Sequence, residues 1–324
     1  MARWSLRLSL AGPTIILAVL GLAACSSPTA PGSSSSGSSI PTVPPLGGPS
    51  PVGTAAPIAV LGTENFYADL LGQLGGARVT ATSLLNDPNA DPHAFESSTQ
   101  AAAAVADAQL VIVNGLGYDA FMDKLLAASP SPTRVVISVQ QLLGLADGAN
   151  AHIWYDPATM PKVAAAAAAA LAAIDPANAA YFNAREALYV ASLQPLAAKI
   201  AEMKTRFGGA PVAFTEPVAG YLATAISLQV LTPEGFQKSI EDGTDPAPAD
   251  VAGESDLLSG KQVKVLIYNS QVTSPITSQM HDLAVANGIP VVGVAETIPA
   301  TYSDYGSWQL GQLDQLEQAL GAGG

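Results

Sequence analysis

The sequence predicts an α/β fold built from two parallel-sheet lobes joined by a long connecting helix. Three observations carry that expectation. Short, continuous apolar runs alternate with helix-like segments from Ile58 onwards, and the same alternation starts again near Val212. Between the two series lies a long helical stretch rich in alanine. Strands that are apolar along their whole length are buried on both faces, which marks parallel sheets covered by helices.

Taken in order, Ile58-Ala59-Val60-Leu61 reads as the first strand, with a helix from Glu64 to Leu74 after it. Gln109 to Val113 reads as a strand behind the helix-like stretch Ala101 to Ala106. Arg134 to Ile137 follows the periodic segment Asp119 to Leu126. Two helical stretches come next, Thr159 to Ile174 and Ala177 to Phe207, and the run Ala164 to Ala170 suits close packing through small side chains. The second stretch would be about 45 Å long at 1.5 Å per residue. Pro195 inside it predicts a kink or a break. Val212-Ala213-Phe214, Val263 to Ile267 and Ile289 to Val292 are the buried strands of the second half. The expected organisation is a signal over 1–24, an anchor and linker over 25–56, a first lobe over 57–175, a connecting helix over 176–208 and a second lobe over 209–324.

The N-terminal segment has the form of a secretory signal. Arg3 and Arg7 precede an apolar run from Leu8 to Leu22, broken by Gly12 and Pro13. That run is too short to span a bilayer comfortably as a permanent helix. It ends in Leu22-Ala23-Ala24-Cys25, which resembles the lipobox of bacterial lipoproteins. The resemblance implies cleavage before Cys25, diacylglyceryl attachment to its thiol and a place on the extracytoplasmic face of the cell membrane. Two or more acyl chains, at about 0.8 kcal/mol per buried methylene, anchor stably where one would not. Cys25 is the only cysteine, so no internal disulfide is expected. Residues 26 to 56 hold little but Ser, Pro, Gly, Thr and Ala, a composition that reads as a flexible spacer.

Charge narrows the partners. The chain carries 13 basic against 26 acidic residues, a net charge of −13, and loss of the signal removes two arginines more. Nucleic acid needs a basic surface and is excluded on that ground. An acidic surface tilts the local field towards cations.

Three histidines are present. His93 lies in Asp91-Pro92-His93-Ala94-Phe95-Glu96 and His152 in Ala151-His152-Ile153-Trp154-Tyr155-Asp156-Pro157. Both segments are loop-like, follow strands and precede helices, which is where ligands bind in open α/β sheets. A loop histidine is otherwise a polar surface residue, and the residues alone leave both readings open. His281, on a polar helix face, reads as a solvated surface residue. The chain has no C-x-x-C, H-E-x-x-H, G-x-x-x-x-G-K-[ST] or G-x-S-x-G motif.

The two histidine loops flank Val111-Ile112-Val113-Asn114-Gly115-Leu116-Gly117-Tyr118-Asp119-Ala120-Phe121-Met122-Asp123-Lys124-Leu125. In that order the three segments resemble the zinc/manganese solute-binding lipoproteins of ABC importers, the cluster A-I family. The resemblance runs from Ile58 to the end of the body. It implies a site in the cleft between the lobes, with two ligands from each. His93 and His152 fall on the family's histidines. Glu216 in Phe214-Thr215-Glu216-Pro217 matches the third ligand. Glu296 in Val294-Ala295-Glu296-Thr297 takes the fourth position, with Asp304 as the alternative. Capping of a helix start is the other use for Glu216 and Glu296. The implied cargo is a divalent transition metal, Mn²⁺ or Zn²⁺: imidazole suits both, and carboxylates shift the balance to harder ions. The implied protein is a monomeric carrier, not an enzyme, that serves an ABC transporter permease. A metallohydrolase, which would keep a coordination position open for water, and a surface adhesin are the competing readings.

Overall fold

The computed structural model describes residues 48–87, 92 and 95–322, so Cys25, most of the linker and His93 lie outside the described residues. All the described residues belong to one unit. Its first sheet is assembled from β1 (Ile58–Glu64), β2 (Val79–Leu85), β3 (Leu110–Val113) and β4 (Val135–Ser138), with α1 (Asn65–Gly75), α2 (Thr99–Asp107) and α3 (Phe121–Ala128) as crossovers. The order is β2-β1-β3-β4 and every pairing is parallel. The short α4 (Val139–Leu143) follows β4, and then comes α5 (Thr159–Ile174).

The second sheet repeats the plan with β5 (Pro211–Phe214), β6 (Gln229–Val230), β7 (Val265–Asn269) and β8 (Val291–Val294). Its order, β6-β5-β7-β8, is also parallel throughout. Here the crossovers are α8 (Gly220–Ile226), α9 (Glu234–Glu241), α10 (Pro248–Ser259) and α11 (Pro275–Ala286). Both sheets therefore present the carboxyl ends of their central strands to loops that can carry a site. The expected α/β class with two parallel sheets is the fold observed.

β2 is the strand that the apolar runs do not announce. Its sequence, Val79-Thr80-Ala81-Thr82-Ser83, alternates exposed with half-buried positions because it lies at a sheet edge. The continuous apolar pattern belongs to β1 and β3, which are covered on both faces.

The connection between the lobes is a long helical stretch interrupted at one residue, Leu193, where Pro195 predicts a kink or a break. A 3₁₀ turn at Pro176–Asn178 leads into α6 (Ala179–Ser192), and α7 (Gln194–Phe207) starts afresh after Leu193. Pro195 sits in the first turn of α7, where its missing N–H and fixed φ cost nothing. The lobes are held by more than this connection. The C-terminal α12 (Tyr305–Ala322) packs on β8, α7 and α1. Fully buried aromatic rings continue the join: Phe66 stacks on Trp308 at 6.2 Å, and Tyr155 meets Trp308 edge-on at 5.9 Å. Asn65, at the start of α1, donates to Ile298 O at 3.0 Å and accepts from Ile298 N at 2.9 Å.

The end of the linker is fastened to the body. Val52 N donates to Asn178 Oδ1 at 2.7 Å, and Asn178 Nδ2 donates back to Val52 O at 3.1 Å. Arg78 donates to Ala55 O and pairs with Asp175 at 2.7 Å. Among the described residues no helix is long and apolar enough to cross a membrane.

Candidate metal centre

The segment Asn114-Gly115-Leu116-Gly117-Tyr118-Asp119 forms a tight turn at the carboxyl end of β3. Gly115, Leu116 and Gly117 all take positive φ, at 83°, 57° and 84°. Leucine is strained in that region, and the turn is held by its surroundings. Asp119 accepts from Asn114 N at 2.7 Å and Gly115 N at 2.9 Å, and Leu116 N donates to Gln140 Oε1 at 2.8 Å. A side chain at Gly115 would place its Cβ 2.7 Å from Gln140 Cβ. The result of this turn is the position of Tyr118, whose hydroxyl donates to Glu296 Oε2 at 2.9 Å.

His152 is wholly buried and is fixed from both sides. Asn150 Oδ1 accepts from His152 N at 2.9 Å and stands 2.8 Å from Nδ1. Asn114 Nδ2 holds the carbonyl of Ala151 at 2.9 Å. The ring packs edge-on against Trp154 at 5.2 Å and Tyr118 at 5.9 Å. Its Nε2 lies 3.3 Å from Glu296 Oε2. A histidine of the first half and a carboxylate of the second thus meet in a buried pair.

Glu296 follows β8, and its loop is clamped by Gln271, whose Oε1 accepts from the backbone N–H of both Glu296 and Thr297. Glu216 follows β5 and is also buried. The side-chain amide of Asn269, at the end of β7, donates to Glu296 Oε1 at 2.7 Å and to Glu216 Oε2. One amide therefore holds two carboxylates side by side. Glu216 Oε1 is left buried with no hydrogen-bond partner. Burial pushes the Glu216 carboxyl up to about 8, the charges of Glu296 and Glu241 add to that, and Asn269 and His152 work against it.

The structure thus brings His152, Glu216 and Glu296 to one place, while His93 lies outside the described residues. Asp304 does not join them: it starts α12, accepting from Ser307 N at 2.7 Å and from Ser303 Oγ at 2.6 Å. Glu216 and Glu296 bond instead to Asn269 and Tyr118 rather than to a helix start. His281 is half exposed and faces Asp282 at 3.1 Å, as a surface residue does. Among the described residues no three His, Cys, Asp or Glu side chains are gathered tightly enough to hold an ion. The chemistry of the assembled donors still fits one: an imidazole nitrogen facing a carboxylate, and a carboxylate oxygen with no partner.

Asn150 and Asn269 are absent from the residues that the sequence nominates. Both stand in the loops that carry the nominated ligands, or at the end of the strand between them, and that position is the only signal they give. Asn150 also ties the lobes, donating to Pro217 O at 2.6 Å and accepting from the Tyr221 hydroxyl at 3.0 Å. Replacement of Asn269 by alanine is expected to lower metal affinity about 10- to 100-fold, the usual cost of losing an outer partner of a ligand. A competition titration against a chromophoric chelator reads this directly; an unchanged affinity would show that Asn269 does not set the carboxylates.

Known proteins share this architecture. The Treponema pallidum periplasmic zinc binding protein TroA matches with a TM-score of 0.70 and 17% identity, over 82% of this chain and 99% of that one. A crystal structure of ZnuA matches with a TM-score of 0.66 and 20% identity, over 81% and 99%. The solute-binding protein FpvC of Pseudomonas aeruginosa, solved with Mn²⁺, gives 0.66 and 20%, over 83% and 100%. A Thermotoga maritima protein named for metal binding is 32% identical over 100 residues, which cover 30% of this chain and 34% of that protein. The family model of ZnuA, the periplasmic component A of the zinc-uptake complex, matches residues 60–319. The chain therefore belongs to this family of metal-uptake carriers.

Proposed function

We propose that the protein captures a divalent transition metal, Mn²⁺ or Zn²⁺, outside the cytoplasm and delivers it to an ABC-type permease, with His93, His152, Glu216 and Glu296 as the ligands. The observation that carries this reading is the buried pair of His152 Nε2 and Glu296 Oε2, 3.3 Å apart, beside a Glu216 oxygen with no partner. Two carboxylates neutralise a divalent charge in a site where water does not, and two imidazoles bind transition ions in preference to Ca²⁺ or Mg²⁺. Because the donors come from both lobes, a permease that parts the lobes removes half of the ligand set, and the ion leaves. Cys25 and its lipid complete the device: a tether of about thirty residues keeps the carrier near its target and raises the effective concentration there. The protein works as a monomer in this scheme and catalyses no reaction.

Metal analysis of the purified protein tests the reading. One equivalent of a transition ion is expected, or one equivalent taken up with sub-micromolar affinity after stripping. A protein that binds neither Mn²⁺ nor Zn²⁺ at micromolar concentration refutes it. Glu296→Gln is expected to weaken binding and Asp304→Asn to leave it unchanged; the reverse pattern would move the fourth ligand to Asp304.

A further inference from the structure

The Glu296 carboxylate is gripped from both lobes. From the second lobe, the Asn269 amide donates to its Oε1 at 2.7 Å. From the first, the Tyr118 hydroxyl donates to its Oε2 at 2.9 Å. The same Oε2 lies 3.3 Å from His152 Nε2. Two donor atoms that each sit about 2.0–2.1 Å from one tetrahedral ion stand about 3.3–3.4 Å apart. Glu296 Oε2 and the imidazole are therefore already at ligand spacing, and the hydroxyl that fixes Oε2 there belongs to a residue outside the proposed ligand set.

Tyr118 is itself held in place. Its buried ring packs edge-on against Trp154 at 5.0 Å and against His152 at 5.9 Å. The turn that carries it is tied down by Asp119 and Gln140. A phenol is an O–H donor at neutral pH, so it can direct a carboxylate without adding a charge. We propose that Tyr118 is a positioning residue of the metal site, whose hydroxyl aims Glu296 Oε2 at the ion beside His152 Nε2 and keeps Glu296 a one-oxygen ligand. Both Glu296 oxygens accept a hydrogen bond, and turning the carboxylate to chelate through both would break one of these bonds. Outer partners of this kind set the orientation of a ligand. The inference rests on the cleft being a metal site and deepens that reading by assigning how its fourth ligand is held.

The test compares the wild type with Tyr118→Phe, which removes the hydroxyl and keeps the ring. The stripped full-length protein in detergent is titrated with Zn²⁺ against a chelator of known strength. It is then titrated with Co²⁺, whose visible absorption is stronger in four-coordinate sites than in those of higher coordination. The wild type must bind; if it does not, the metal-site reading falls, whatever Tyr118 does. Given wild-type binding, Tyr118→Phe is expected to weaken Zn²⁺ about 10- to 100-fold. Its bound Co²⁺ is expected to absorb less per ion, as the freed Glu296 brings in its second oxygen. Unchanged Zn²⁺ affinity overturns the proposal. So does a weaker affinity with an unchanged Co²⁺ spectrum, which would make Tyr118 a packing residue. Thermal melting of the stripped variant, expected close to the wild type, separates loss of binding from loss of fold. Where the variant does not fold, crystals of the zinc-loaded wild type decide. Glu296 is expected to meet the ion through Oε2 alone, with the Tyr118 hydroxyl still bonded to that oxygen; a chelating Glu296 or a displaced hydroxyl overturns the proposal.

Discussion

Replacing His152 by alanine is expected to lower the affinity for Mn²⁺ and for Zn²⁺ by at least about a hundredfold, at the upper limit of what the loss of an outer partner of a ligand costs. The ring is buried, its Nε2 faces Glu296 Oε2 at 3.3 Å, and Asn150 fixes the other nitrogen. Truncation removes a preorganised donor and leaves Glu296 without the only imidazole that the described residues set against it. The ring also packs on Trp154 and Tyr118, so some stability goes with it. Metal-free melting measures that packing loss; the affinity, read against a chelator of known strength, measures the ligand. A variant that melts lower but binds as before would make His152 a core residue and nothing more.

The second large effect is on pH. Metal-free protein is expected to lose several kcal/mol of stability as pH rises from about 5 to about 8. Three buried carboxyls drive it. Burial lifts Asp69 to about 7, Glu254 to about 7 and Glu216 to about 8. Glu64, with both oxygens buried and unpaired, moves in the same direction. In the unfolded chain such groups release their protons near pH 4. Between that value and the folded one, the native state binds more protons than the unfolded state. Raising pH then pulls the equilibrium towards unfolding, at up to about 1.4 kcal/mol per group for each pH unit. The stabilisation is complete below about pH 4 and is lost as pH climbs through 7 and 8. In the proposed site, bound metal would oppose part of this by keeping the Glu216 carboxylate ionised. Calorimetric melts of stripped protein between pH 5 and 8 should show a falling midpoint, with the stabilisation by added metal growing over the same range. A flat or rising midpoint would contradict the burial of these groups as acids.

The sequence announces this fold where strands are covered on both faces. Ile58 to Leu61, Leu110 to Val113 and Val265 to Ile267 are apolar runs because helices lie above and below them. β2 and the two-residue β6 escape because edge strands need no such run. Pro195 marks the break between α6 and α7, but the aromatic join through Phe66, Tyr155 and Trp308 is invisible in sequence, since those residues lie far apart along the chain. The site divides in the same way. His152, Glu216 and Glu296 carry chemistry that stands out as residue type and motif. Asn150 and Asn269 matter through where the fold puts them, and asparagine is too common in loops and at strand ends for spacing to single them out.

The most direct measurement is the position of the ion itself, by anomalous diffraction from crystals of the protein loaded with Mn²⁺ or Zn²⁺. One ion is expected in the cleft, about 2.0–2.2 Å from His152 Nε2 and from oxygens of Glu216 and Glu296, with His93 completing the set. An ion held elsewhere on the protein, or one bound in the cleft without ligands from both lobes, would contradict the proposed mode of capture and release.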